Sequence, residues 1–235
     1  MASTLERDLV RRLARAISAE TAVEVCSGQQ AIDDDDALLE KAVALPSGSS
    51  CLRIWENRNC LVTTRPVAKR KEFAEAAKLS EQSGWPVHIR SSGGSTVIHR
   101  PGIMNISLAV AAGKRRVQPN ASYADLTALL QAAFRKLYVE AFVGPIAGAY
   151  CDGNYNLCLN GKKIAGTASR IVRRNNQTAY ICHASIAIYG SPERDISRIS
   201  KFERSVGLEH VYATSSHTTL MDTMGLMDTM GSSLT

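Results

Sequence analysis

The sequence predicts an α+β domain built on a mixed β-sheet flanked by helices. Short apolar and β-branched runs alternate with helical patterns but follow no strict βαβ repeat, which argues against a purely parallel sheet. Asn160-Gly161 sits between two apolar runs and is a strong hairpin signal, so part of the sheet is antiparallel. A chain of 235 residues, 45% apolar and 21% charged, has the composition of a globular protein with a sizeable core.

The elements follow in order. Leu5, Leu9, Val10, Leu13 and Ile17 recur at helical spacing and predict an amphipathic helix over 4–18. Ala22–Val25 reads as a short strand. Asp33–Asp36 precede Ala37–Val43, and acidic residues at a helix start complement its dipole. Capping is favoured over a calcium site, because the alternating ligands and the glycine of an EF-hand loop are missing. Leu52–Trp55 and Cys60–Thr64 read as two strands with a turn at Glu56–Asn59, and 70–82 as a helix ending near Gly84. Val87–Arg90 and Thr96–His99 are strands on either side of a Ser/Gly loop, and Asn105–Val110 is another strand. Tyr123–Tyr138 is the longest helical pattern, with Ser122 as its cap. Tyr155–Leu159 and Lys162–Ala165 form the hairpin around Asn160-Gly161. Ala179–Tyr189 is a strand, and 192–206 is helical or irregular. The domain is expected to span 1–212, with 213–235 a flexible tail carrying Leu-Met-Asp-Thr-Met-Gly twice in succession.

No apolar run reaches the roughly 18 residues of a membrane span, and the charged first residues are not a secretory signal. Cys26, Cys51, Cys60, Cys151, Cys158 and Cys182 form no CxxC pair and no zinc spacing, so no metal site is expected. They read as reduced thiols of a cytoplasmic protein. The net charge of +6 favours acidic partners. Scattered basic residues and few aromatics give no platform for nucleic acid.

Two segments carry chemistry. In Arg90-Ser91-Ser92-Gly93-Gly94-Ser95-Thr96-Val97-Ile98-His99, the glycines allow close backbone approach, and the arginine suits a phosphate or carboxylate. Taken alone, the run reads equally as a plain hairpin turn. The second segment is Gly161-Lys162-Lys163-Ile164-Ala165-Gly166-Thr167-Ala168, whose lysines on their own read as exposed hairpin residues.

Taken in order, four segments resemble the lipoate–protein ligase and octanoyltransferase family, related in fold to biotin–protein ligases. They are Trp55-Glu56-Asn57 through Arg65, Arg90 through His99, Tyr155-Asn156-Leu157 followed by Lys163 through Ala168, and His183-Ala184-Ser185-Ile186. The resemblance covers roughly residues 35–190 and implies a lipoate-ligase-like, class II synthetase-related catalytic domain. It implies transfer of an octanoyl or lipoyl group to a lysine of a small acyl-carrier domain of the E2 or H-protein type, with acyl carrier protein as one source of the group.

On this resemblance Lys163 is a catalytic cation near the acyl carbonyl. Arg90, Ser92, Gly93, Gly94, Ser95, His99, Asn156, Gly166, Thr167, Ala168 and His183 line the substrate pocket. Thr167 is placed to donate to the acyl carbonyl. Some members pass the group through a cysteine thioester, and Cys151, just before the lysine hairpin, is the candidate nucleophile, with Lys163 acting on its thiol.

Several departures lean towards transfer. Ser95 replaces a third glycine, Asn156 stands where ATP-dependent ligases tend to carry Asp, and His99-Arg100-Pro101-Gly102 leans towards the transferase variant, whose loop continues His-Gly-Pro-Gly. The chain also leaves no room for the ligases' accessory domain. Two alternatives stay open. One is an ATP- and magnesium-dependent lipoate ligase working through lipoyl-AMP with a separate accessory subunit. The other is a non-catalytic protein that binds lipoate or a lipoyl domain.

Overall fold

The computed structural model describes residues 2–231. In chain order the elements are α1 (Thr4–Ile17), β1 (Val23–Cys26), α2 (Gln30–Val43), β2 (Ser50–Asn57), β3 (Cys60–Thr64), the single turn α3 (Arg65–Ala68), α4 (Phe73–Gln82), β4 (Val87–Arg90), β5 (Val97–His99), β6 (Ile103–Gly113), α5 (Ala121–Lys136), β7 (Phe142–Val143), β8 (Leu157–Leu159), β9 (Lys162–Arg174), β10 (Gln177–Ala187), α6 (Pro192–Ser205), a 3₁₀ turn (Thr214–Ser216) and α7 (Leu220–Gly231).

Two sheets form. The larger runs β1-β2-β6-β10-β9-β8-β7, and the smaller β4-β3-β5. β1 joins β2 in parallel and β4 joins β3 in parallel, while the other pairings are antiparallel. The sheet is therefore mixed, and the α+β class holds.

Alternation along β10 decides what each face meets. Cys182, Ala184 and Ile186 pack with Leu9 and Leu13 of α1 and Leu126, Leu130 and Phe134 of α5. Ala179 and Ile181 face the other way, onto Leu39 and Ala42 of α2. His183 and Ser185 continue that second face, so a polar pair lies beneath the N-terminal half of α2. α1 starts at a capping box in which Ser3 and Glu6 satisfy each other's backbone N–H. α6 starts from Ser191 with Pro192 in its first turn.

Several expectations are corrected. α2 begins at Gln30, ahead of the acidic run, and lacks a side-chain cap. Asp35 instead turns inward and is buried. α5 is capped by Asn120, while Ser122 is buried and donates to the Pro119 carbonyl. β2 and β3 are consecutive but belong to different sheets. β4 and β5 do not pair with each other, since both flank β3. The Ser/Gly loop is consequently a crossover past the end of β3, not a hairpin turn.

The segment from 213 is not free over its described part. Thr218 N–H donates to the Lys163 carbonyl, Ser216 Oγ donates to that of Ala147, and Leu220 is fully buried in the main core. The repeated hexapeptide falls in α7, and 232–235 lie outside the described residues.

Candidate active site

The crossover loop forms one wall of a cleft. Arg90, at the end of β4, is buried and bound to loop carbonyls. Its Nε and Nη2 donate to Gly93 O, Nη2 also to Ser95 O at 2.6 Å, and Nη1 to Val62 O. The guanidinium thus pins the loop, where the sequence suggested an anion fork. Gly94 has φ +101°, and a Cβ there would lie 2.8 Å from Cys151 Sγ and 2.9 Å from Arg90 Nη2. Only glycine lets sulfur and guanidinium meet over the backbone at this point. The Ser95 N–H points at Cys151 Sγ, 3.4 Å away. Burial lowers the Arg90 pKa, and the adjacent Cys151 opposes that shift.

The opposite wall is the β8–β9 hairpin. Asn160 and Gly161 both adopt positive φ, as a two-residue turn of this type requires. Lys162 is exposed, whereas Lys163 is 3% exposed. The Lys163 Nζ donates to the carbonyls of Tyr150 at 2.5 Å and Cys151 at 2.9 Å, and lies 4.9 Å from the Tyr150 ring centroid. The lysine therefore grips the backbone of the cysteine, not its thiol. Burial lowers the Lys163 pKa to about 8. Cys151 itself sits at φ +47°, a region costly for a side-chain residue.

Neighbouring residues hold this arrangement. A Cβ on Gly166 would come within 3.2 Å of Lys163 Nζ. Asn156 Nδ2 donates to Asp152 Oδ1, which also accepts the Ile146 N–H, and this closes the loop that carries Cys151. Thr167 Oγ1 donates to the Tyr155 carbonyl, so its proton is already committed and it does not stand free for an acyl oxygen.

Between the walls lies a cleft that opens to solvent. Ile32, Trp55, Val62, Val97 and Ala168 give it apolar surface, and Arg90, His99, Cys151, Gly166, Thr167 and His183 also line it. His99 packs edge-on against Trp55, with centroids 5.3 Å apart, and burial lowers its pKa to about 3. It is a neutral ring, with Nε2 3.5 Å from Ser185 Oγ.

A scan against family models matches residues 28–221 to the lipoyl protein ligase A/B catalytic domain. The chain belongs to this family. Among its relatives is the octanoyl-GcvH:protein N-octanoyltransferase of Kyrpidia tusciae, 29% identical over 195 residues, covering 80% of this chain and 67% of that protein. The protein of the same name from Geobacillus kaustophilus is 33% identical over 145 residues, covering 62% and 51%. The matched region thus spans half to two thirds of these two relatives. A lipoate-protein ligase A crystallised with ATP superposes with a TM-score of 0.64 at 16% identity, covering 86% of this chain and 77% of that one, which shows a shared fold.

Within this family fold, three groups escape a reading of the sequence. The first is Asp35. Its Oδ2 lies 3.0 Å from His183 Nδ1 and accepts from Ser107, while Oδ1 takes Arg53 Nη1 at 3.1 Å. His183 Nε2 in turn lies 2.8 Å from Ser92 Oγ. A carboxylate only accepts, so the Nδ1 proton faces Asp35, and in the neutral ring Nε2 accepts from Ser92. The second group is Glu203, 1% exposed, which accepts the Thr96 N–H and side-chain bonds from His210 and Tyr212. The third is His217, which stacks on Tyr150 and accepts the Tyr150 N–H at Nε2. Asp35 was masked by its plausibility as a helix cap, and Glu203 and His217 carry no local pattern. Among the described residues no helix is long and apolar enough to cross a membrane.

Proposed function

We propose that this chain carries an octanoyl or lipoyl group as a thioester on Cys151 and passes it to a lysine of a small acyl-carrier domain of the E2 or H-protein type. The observation that carries the reading is the placement of Cys151 Sγ. It faces the Ser95 N–H inside the cleft, while Lys163 holds the carbonyl of the same residue from the other side.

In the first step the Cys151 thiolate attacks the acyl carbonyl of a thioester or acyl-lysine donor. A tetrahedral intermediate forms, and the donor leaves as a thiol or amine carrying a proton. In the second step the neutral acceptor amine attacks the Cys151 thioester. The C–N bond forms, the C–S bond breaks, and the amine proton is released as the thiolate is restored. The Ser95 N–H and the Lys163 ammonium supply positive character near the carbonyl oxygen as it gains charge. His99 and Trp55 form apolar wall for the acyl chain. Arg90, Gly93 and Gly94 shape the loop, and Ser92, His183 and Asp35 clamp it to the sheet. Gly166 leaves room beside Lys163, Ala168 lines the cleft, and Asn156 and Thr167 hold the Cys151 loop.

Relatives named octanoyl-GcvH:protein N-octanoyltransferase support a donor that is itself an octanoylated carrier protein. The test supplies octanoylated GcvH or octanoyl carrier protein together with an apo lipoyl domain, and reads the acceptor mass. Gain without ATP is expected. Gain only from free lipoate with ATP and magnesium would establish a ligase. No gain with retained binding of the lipoyl domain would establish a binding protein.

A further inference from the structure

Beyond the cleft, β9 runs on as an open edge. β8 covers it only through Ala165, and no strand among the described residues pairs with its outer side from Gly166 to Arg174. Residues 166–171 are half-exposed along this stretch. The alternating positions facing α2 lead away from the cleft. Ala168 lines it, Arg170 stands at its rim bound to Asp36 and Ser91, and Arg174 reaches Glu40.

The β9–β10 hairpin then closes through Asn175 and Asn176, both at positive φ, a tight turn that presents its flanks rigidly. Arg173 and Arg174 are exposed there. The end of β6 comes to the same place, since Gly113 pairs with Thr178, which pairs with Arg173. Exposed Lys114, Arg115 and Arg116 follow Gly113 directly. The neighbouring acids are engaged: Glu40 with Arg174, and Asp125 with the Tyr180 hydroxyl. Five exposed cations, Lys114, Arg115, Arg116, Arg173 and Arg174, thus gather at the end of the sheet to which this edge of β9 leads.

We propose that this basic end, with the open edge of β9 leading to it, is the docking surface for the acceptor, a small domain with an acidic face around the lysine it inserts. The proposal rests on the acyl-transfer reading for the identity of that partner. Reach supports it. From Ala168 to Arg174 the strand covers about 20 Å at its usual rise. A partner burying about 800 Å² on each side covers a disc of roughly 16 Å radius. A domain whose lysine enters the cleft therefore lies over Arg170, and the cations at the tip stand a few ångström beyond its edge, within one Debye length of about 8–10 Å. Arginines on an open edge also discourage self-pairing, but that role alone would leave acceptor affinity untouched.

The test measures binding of an apo lipoyl domain directly, by fluorescence anisotropy, for the full chain and for Arg116→Glu/Arg173→Glu. Dissociation constants are expected to rise about tenfold or more, with a shallower salt dependence. The same charge change at Arg194→Glu/Lys201→Glu, at the opposite end of β10, is expected to stay within about twofold. Labelling of Cys151 by a small octanoyl thioester reports separately on the chemistry, so failure of the acyl-transfer reading is seen there and not in the binding assay. Equal acceptor affinity in the Arg116/Arg173 variant would overturn the proposal. So would equal losses in both variants, or a change confined to polyanions such as heparin or RNA.

Discussion

Gly94 shows how closely the site depends on one residue. Its φ of +101° and the 2.8 Å approach a Cβ would make to Cys151 Sγ leave no room for a side chain. Gly94→Ala is expected to cost about 1–3 kcal/mol of stability through backbone strain. It is expected to slow acyl transfer by about a hundredfold, because the displaced sulfur loses its alignment. Urea unfolding and single-turnover transfer separate the two effects. His99 makes a different prediction. Its pKa of about 3 in the fold lies below the ordinary histidine value, so between those limits the unfolded chain binds more protons. Its contribution to stability is complete above about pH 6.5 and is lost as the pH falls towards 3. His99→Asn is expected to flatten the acid limb of a stability-against-pH curve, and an unchanged slope would contradict the assignment. Lys163, Cys151 and the loop were legible in the sequence because motif order places them together. Asp35 was not, since an acidic run before an apolar one suits a helix start just as well as a buried partner for Arg53 and His183.

Among the elements, α2 does more than cover the sheet. Gln29, just before it, bonds both the N–H and the carbonyl of Ile89 on β4. Asp36 accepts from Ser91, and Asp35 reaches Ser92 through His183. The helix therefore clamps the crossover loop at several points, and Asp35 also sits in a buried ion pair with Arg53. Asp35→Ala leaves Arg53 its contacts with Glu24 and Asp34 but takes the acceptor from Ser107 and His183, and is expected to cost about 1–3 kcal/mol in urea unfolding. Asp35→Asn, which keeps an acceptor for Ser107, is expected to cost less. Most strands were visible from their apolar runs, but β7 was not, and β9 runs past the expected end at Ala165 to Arg174. The strands' partners were not visible, because the pairing of β3 with both β4 and β5 is non-local and leaves no periodic trace. The Ser/Gly run looked like a hairpin turn for the same reason.

Across the whole molecule, one core ties the ends of the domain together, since α1, the sheet, α5 and Leu220 share a single apolar cluster. The segment after α6 then returns over the Cys151 loop through Ala213, Ser216 and His217. A chain ending at Tyr212 is expected to unfold at lower urea and to show slower alkylation of Cys151 than the full chain. Equal reactivity would mean the returning segment is a passenger. The contacts that seat this segment on the Cys151 loop, to Ala147, Gly148 and Tyr150, are with residues distant in sequence and leave no local pattern. Lys163 gives the site an overall pH signature: with its pKa lowered to about 8, transfer is expected to decline as the pH rises past that value and the ammonium is lost. The most direct measurement is the intact mass of the protein after exposure to an octanoyl thioester without ATP, for the native chain and for Cys151→Ala. The account requires a hydroxylamine-labile octanoyl adduct on the native protein and none on the variant; an adduct that persists in Cys151→Ala, or that forms only when ATP and the free acid are supplied, would contradict it.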